Sequence, residues 1–238
     1  MDFDKEIKNR VAWIKDALAK SGAQGLIFGA SGGKDSALVG ILCKMACDNT
    51  LGVIMPCGSA QNYGDDKSHA LLLQEVYGIE HMVVDLTSSK AGIIDAIGLD
   101  MNKAADMNIA PRLRMTTLYT IAATRNVLVV GTSNKSEIHI GYFTKWGDGA
   151  SDFNPIADLT ATQVKEMLAF LNAPEVICKK APSAGLFEGQ IDEADLGFTY
   201  AELDAYLTSG IKGKNYEKIA HMHNISTHKR GLINTYKK

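Results

Sequence analysis

One short passage constrains this chain more than any other. Leu26-Ile27-Phe28 runs into Gly29-Ala30-Ser31-Gly32-Gly33-Lys34-Asp35-Ser36, and residues 37–42 continue as an apolar stretch with helical spacing. That order spells a strand, a tight loop and a helix. Glycine takes positive φ and lets the backbone approach a ligand closely. The first N–H groups of a helix have no partner within it, and the helix dipole makes them a seat for an anion. The serines add hydroxyl donors, and Asp35 adds a carboxylate able to hold a metal ion carrying phosphate charge. The passage reads as a phosphate cradle; a plain connecting turn would leave the serines and the aspartate unexplained.

Its spacing excludes two common cradles. A Walker loop requires Gly, four residues, then Gly-Lys-Ser/Thr. Here Gly33-Lys34 is followed by Asp35, and the position five before Gly33 is Phe28. The Gly-x-Gly-x-x-Gly dinucleotide spacing is missing as well. Residues 31–36 instead resemble the Ser-Gly-Gly-x-Asp-Ser loop of the ATP pyrophosphatases, which split ATP between its α and β phosphates.

The 238 residues suffice for a well-packed core and are read as one domain, 1–238. A formal net charge of −2 gives no sign of a nucleic-acid or membrane surface. Met1-Asp2-Phe3-Asp4 opens an amphipathic helix, not a secretory leader, and no apolar run is long enough to span a bilayer. Cys43, Cys47, Cys57 and Cys178 lack zinc-site spacing and are read as small buried hydrophobes. A cytoplasmic location is therefore expected.

Apolar positions Phe3, Ile7, Val11, Ile14 and Leu18 predict a helix over 3–20. Strands are predicted at 25–28, 51–55, 80–85 and 126–131, with helices after the loop, from Asp65 and from Arg112. Residues 86–110 show only weak helical pieces. Asp158-Leu159-Thr160-Ala161-Thr162 caps a helix, residues 174–197 read as a long polar connection, and two short helices close the chain. Alternating strands and helices predict an α/β fold: a doubly wound, mainly parallel sheet with helices on both faces. Ligands of such sheets sit at the carboxyl ends of the strands, where residues 29–36, 56–59, 85–89 and 131–137 all fall.

Four further stretches bear on chemistry. Gly131-Thr132-Ser133-Asn134-Lys135-Ser136-Glu137 follows a strand and carries Glu137, either a second carboxylate beside Asp35 or a cap for the next helix. Two carboxylates plus phosphate oxygens suit Mg²⁺, which uses few protein ligands. Residues 141–152 combine glycines with Tyr142, Phe143 and Trp146, in keeping with a ligand-facing loop or an unusually aromatic solvated one. Arg112-Leu113-Arg114-Met115 heads a helix; its guanidinium groups suit phosphate or carboxylate, or a surface salt bridge. Thr227-His228-Lys229-Arg230 forms a basic near-terminal stretch, of a kind usually just solvated.

Taken in order, these motifs resemble the ammonia-dependent NAD synthetases. The resemblance rests on residues 29–36, Ile54-Met55-Pro56-Cys57, residues 112–115 and 131–137, Tyr142-Phe143-Thr144-Lys145 and Gly147-Asp148-Gly149. Lys180-Ala181-Pro182-Ser183-Ala184-Gly185-Leu186, Asp192-Glu193 and His228-Lys229 complete it. It implies an N-type ATP pyrophosphatase with the adenine nucleotide α-hydrolase-like fold. The activity implied is ATP-dependent amidation of deamido-NAD with ammonia, through an acyl-adenylate, giving NAD, AMP and pyrophosphate. By the same resemblance Gly29, Ala30, Ser31, Gly32, Gly33, Lys34, Asp35 and Ser36 bind ATP with Thr132 and Ser183. Ser31, Asp35 and Ser36 are its catalytic positions, and Asp35 and Glu137 bind Mg²⁺. Arg112, Lys145, Asp152, His228 and Lys229 hold deamido-NAD. Lys34 occupies the variable position of the loop and receives no separate role.

One position departs: many family members carry a phosphate-binding lysine where this chain has Ala161, with Lys179 and Lys180 as candidate substitutes. The resemblance also implies a homodimer. The helix over 3–20 is expected to face either a partner or its own core, and residues 86–110 and 179–197 are expected to order over substrates. No room exists before Gly29 for the glutamine amidase domain of related synthetases, so ammonia is the expected nitrogen donor. Two other readings stand against this one: another ATP pyrophosphatase, either tRNA-modifying or GMP-forming, and a nucleotide-binding sensor.

Overall fold

Strand β1 (Leu26–Gly29) has no polar face: Leu26, Ile27 and Phe28 are all fully buried. Such a strand must be covered on both sides, which is the situation of a parallel sheet under crossover helices. The computed structural model describes residues 1–58, 65–179, 192–231, 233, 235 and 236. Helix α1 (Phe3–Ser21) precedes β1; α2 (Lys34–Ala46), β2 (Thr50–Ile54), α3 (Asp65–Tyr77) and β3 (Glu80–Val83) follow it. Next come α4 (Thr87–Ile97), α5 (Lys103–Met107), α6 (Ile109–Arg125), β4 (Leu128–Val130) and α7 (Lys135–Ile140). The remaining described elements are α8 (Ala161–Phe170), α9 (Glu175–Lys179), α10 (Asp192–Leu196), α11 (Tyr200–Ser209), α12 (Tyr216–Ile225) and α13 (Thr227–Arg230).

The four strands are parallel in the order β3-β2-β1-β4, with Phe28 level with Gly52 on one side and Val130 on the other. Strand alternation splits the core in two. Leu26 and Phe28 join Ile14, Leu38, Leu42 and Val164 on one face, and Ile27 joins Val53, Met115, Leu118 and Val129 on the opposite face. This is the doubly wound α/β sheet expected from the sequence. Helix α2 lies so close to β1 that a Cβ on Gly40 would meet the Phe28 ring at 2.6 Å, which accounts for a glycine inside a helix. A third cluster, built from Ile140, Leu196, Tyr200, Leu203 and Ile219, packs the C-terminal helices onto α7 and α8.

Helix α1 faces its own core: Ile7 and Ile14 are buried, and Phe3, Val11 and Leu18 pack against the cluster beneath. Residues 86–110 are largely helical, in α4 and α5. Their pattern is hard to read because α4 buries none of its residues. Helix α6 begins at Ile109, ahead of the expected Arg112, since Pro111 fits a first helical turn. All four cysteines are free; Cys43 and Cys57 are buried as expected, whereas Cys47 and Cys178 are only half-buried.

Candidate functional site

Strands β1 and β4 are parallel neighbours, so the loops after them leave the sheet side by side. In the first loop, Gly32 adopts φ +69°, a left-handed conformation in which a side chain is strained. The Ser31 and Ser36 hydroxyls lie 3.0 Å apart; Ser31 Oγ accepts from Gly33 N, and Ser36 Oγ donates to Gly33 O at 3.0 Å. The loop is thus fixed by its own short side chains. The N-cap of α2 is Gly33, which supplies no side-chain cap to the helix. Among the described residues no side chain caps the opening of α2, which suits an anion seat.

The second loop brings its carboxylate to the first through Asn134. This side chain is fully buried and makes three hydrogen bonds. Its Nδ2 donates to Asp35 Oδ1 at 3.0 Å, and its Oδ1 accepts from Ser136 N and Glu137 N at 3.0 and 3.1 Å. Glu137 Oε2 in turn accepts from Asn134 N at 3.0 Å, closing a capping box on α7. Glu137 is therefore both a helix cap and a carboxylate held beside Asp35; the two sequence readings of it are compatible. Burial, and then the charge of Asp35, push the Glu137 carboxyl well above the usual carboxylate range, against the pull of Lys34 and the Asn134 N–H.

Lys34 completes this constellation. Its side chain is only 4% exposed and its ammonium is ion-paired with Asp35 Oδ2. Burial pulls its pKa down, but Asp35, Glu137 and Asp192 outweigh that and leave it raised. The ring of the buried Tyr200 lies 5.8 Å from Nζ, and its phenol approaches Asp192 Oδ2 at 3.4 Å. Burial, together with Glu137, Asp192 and Asp35, drives the Tyr200 phenol far up, so it stays protonated.

The residues expected to hold the second substrate form a chain on one flank. Arg112 Nε donates to Lys145 O at 3.4 Å, and Lys145 Nζ donates to His228 O at 2.8 Å. Lys229 Nζ bonds Gly141 O and Phe143 O at 2.8 and 2.7 Å, docking α13 on the aromatic loop. Asp152 is engaged elsewhere: its carboxylate accepts from Val129 N at 2.7 Å and from the Tyr119 hydroxyl at 3.2 Å, covering the outer edge of β4. Thr132 is half-buried in the loop after β4. Ser183 and Lys180 lie outside the described residues.

Ala161 is 2% exposed within an apolar cluster and donates its N–H to Ser136 Oγ at 3.1 Å, so that position sends no cation towards the loop. Lys179, one suggested substitute, is paired with Glu175 in the open. Among the described residues, no three or more His, Cys, Asp and Glu side chains cluster as ligands for a metal ion.

The NAD synthase family model matches residues 6–238. The chain belongs to the NAD synthase family. The NH(3)-dependent NAD(+) synthetase of Carboxydothermus hydrogenoformans is 43% identical over 215 residues, covering 88% of this chain and 87% of that protein. Among solved structures, the NMN synthetase from Francisella tularensis is 36% identical with a TM-score of 0.94, each chain covered in full. The NH3-dependent NAD synthetase from Campylobacter jejuni, also matched over 100% of both chains, is 29% identical with a TM-score of 0.83.

Sequence reasoning missed Asn134, Tyr200 and the depth of Lys34. Only Asn134 carried a local signal: Asn-x-x-Glu directly after a strand has the spacing of a capping box, which ties its side chain to the residue that holds the carboxylate.

Proposed function

We propose that this chain is an ammonia-dependent NAD synthetase that activates the nicotinate carboxylate of deamido-NAD with ATP. The observation that carries the reading is the Asp35–Asn134–Glu137 bridge beside the uncapped start of α2. It places two carboxylates next to an anion seat at adjacent strand ends. The carboxylate attacks the α-phosphorus, the bond to the bridging oxygen of pyrophosphate breaks, and an acyl-adenylate remains. Ammonia then adds to the activated carbonyl, AMP departs with its bonding pair, and the nitrogen sheds a proton to give the amide of NAD.

The chain's own contribution is positioning and electrostatics. Gly29, Ala30, Ser31, Gly32, Gly33, Lys34, Asp35 and Ser36 cradle the triphosphate through backbone N–H groups and the paired hydroxyls, with Thr132 and Ser183 completing the ATP site. Asp35 and Glu137 fit Mg²⁺: two adjoining carboxylates, one of them pushed up by burial and then by the other's charge, are a donor set that a cation would relieve. When bound, that ion supplies neutralisation of charge on the departing pyrophosphate. Arg112, Lys145, His228 and Lys229 form the deamido-NAD flank, with Asp152 at its β4 margin.

A homodimer is supported by α4, which buries no residue yet carries Ile93 and Ile97, followed by Leu99 at 72% exposure. The chain is read as one domain working in the cytoplasm with ammonia as nitrogen donor. Among the described residues no helix is long and apolar enough to cross a membrane.

A second reading, amidation of nicotinate mononucleotide by the same chemistry, is favoured by one observation. The Francisella NMN synthetase resembles this chain more closely than the Campylobacter NAD synthetase does, with TM-scores of 0.94 and 0.83. Incubation with ATP, Mg²⁺ and ammonium, with either acceptor offered in turn, separates the two. The proposal expects AMP and NAD in equal amounts and the higher kcat/KM for deamido-NAD. A higher value for the mononucleotide transfers the assignment, and ADP as product removes both.

A further inference from the structure

Lys34 is the one charged residue of the loop whose placement the reaction scheme leaves unexplained. It opens α2, where a cation opposes the helix dipole, and it is buried, where an ammonium loses its hydration. Both penalties need a compensating partner, and the structure supplies Asp35. The two oxygens of that carboxylate are divided: Oδ1 takes the Asn134 amide, and Oδ2 takes the Lys34 ammonium. A divalent cation reaching Oδ2 would therefore compete with the Lys34 ammonium for that oxygen.

We propose that Lys34 is a resident counter-ion that occupies Asp35 in the nucleotide-free protein and exchanges it for phosphate when the metal nucleotide arrives. The inference rests on reading residues 29–36 as the ATP loop. The geometry suits an exchange. Lys34 lies on the first turn of α2, next to the seat the phosphates take, and lysine presents a compact point charge on a flexible stem that can turn about its own Cα. Glu137 and Asp192 bias the ammonium inward while the seat is free, and Tyr200 forms the apolar wall at 5.8 Å. Phosphate oxygens offer it replacement anions at the moment the metal takes Asp35. The carboxylate pair thus keeps a cation beside it in both states.

The test measures metal binding in the absence of ATP and deamido-NAD. Mn²⁺ affinity is followed by electron paramagnetic resonance, and melting temperature is recorded with chelator and with Mn²⁺, for the wild type, Lys34→Met and Lys34→Arg. Removing the competing ammonium from a half-buried carboxylate should tighten Mn²⁺ binding about tenfold or more in Lys34→Met. That variant should melt lower than wild type in chelator and regain more from Mn²⁺, whereas Lys34→Arg should bind Mn²⁺ as weakly as the wild type. Mn²⁺ affinity that is unchanged or weakened in folded Lys34→Met overturns the proposal. Should Lys34→Met fail to fold, Lys34→Gln takes its place against the same outcomes. Because no nucleotide is present, these results stand apart from the ATP reading; failure of the wild type to bind ATP would refute the reading of the loop instead.

Discussion

Replacing Asn134 separates its two duties. Its side-chain oxygen caps α7, and its amide holds Asp35 across the gap between two strand ends. Asn134→Ala loses both. The cap is worth about 1 kcal/mol, and a hydrogen bond to a charged carboxylate about 1.5–3 kcal/mol, so a loss of roughly 3 kcal/mol is expected from urea denaturation. Asn134→Ser keeps an oxygen able to cap and is too short to reach Asp35. Its stability should fall by only about 2 kcal/mol, the Asp35 bond alone. Its turnover should nevertheless fall about a hundredfold, the scale of cost when a catalytic group is misplaced by around an ångström. The paired readouts are the urea midpoint and the initial rate of NAD formation at saturating ATP. A serine variant with wild-type turnover would show that the bridge does not position Asp35, and the account of the site would lose its main support.

Asp35→Asn should abolish NAD formation while leaving the circular dichroism spectrum unchanged; a variant retaining even a tenth of wild-type activity would argue against a metal-binding carboxylate there. His139 stacks on His223 with ring centroids 4.2 Å apart, and burial, His223 and Arg230 lower its pKa from 6.5 to about 4. The unfolded chain therefore takes up a proton that the fold refuses, so this residue's stabilising contribution is lost as pH drops from 6.5 to about 4. His139→Gln should flatten the fall of the urea midpoint across that window, and parallel profiles for variant and wild type would refute the assignment. If the chain forms the proposed homodimer through the unburied α4 face, Leu99→Asp at its end should give a monomer by light scattering; a dimer mass unaltered by the substitution would move the interface elsewhere.

Much of this fold was legible because its signals are local. Leu26-Ile27-Phe28 before a glycine cluster reads as a buried strand leading into a helix, and residues 158–162 mark the start of α8, where Thr160 and Gln163 form a capping box. The serine–glycine loop and both carboxylates stood out for the same reason. What stayed hidden depends on contacts between distant segments. The burial of Lys34 is made by Asp35, Glu137, Asp192 and Tyr200, which come from four different elements or loops. Helix α4 lacks a buried stripe, so no periodicity betrays it. The resemblance marks Asp152 as a deamido-NAD contact, but the hydrogen bond its carboxylate accepts from the backbone of β4 was not legible, because only the register of residues 152–153 beside that strand creates it.

The central claim is that the loop after β1 and the carboxylate after β4 direct a substrate carboxylate onto the α-phosphorus of ATP. Deamido-NAD labelled with heavy oxygen in its nicotinate carboxylate tests this directly, with the products resolved by mass spectrometry. The account predicts that each NAD formed is matched by one AMP carrying a single labelled oxygen in its phosphate, with none in pyrophosphate. Label in pyrophosphate or inorganic phosphate, or AMP free of it, would contradict attack at the α-phosphorus.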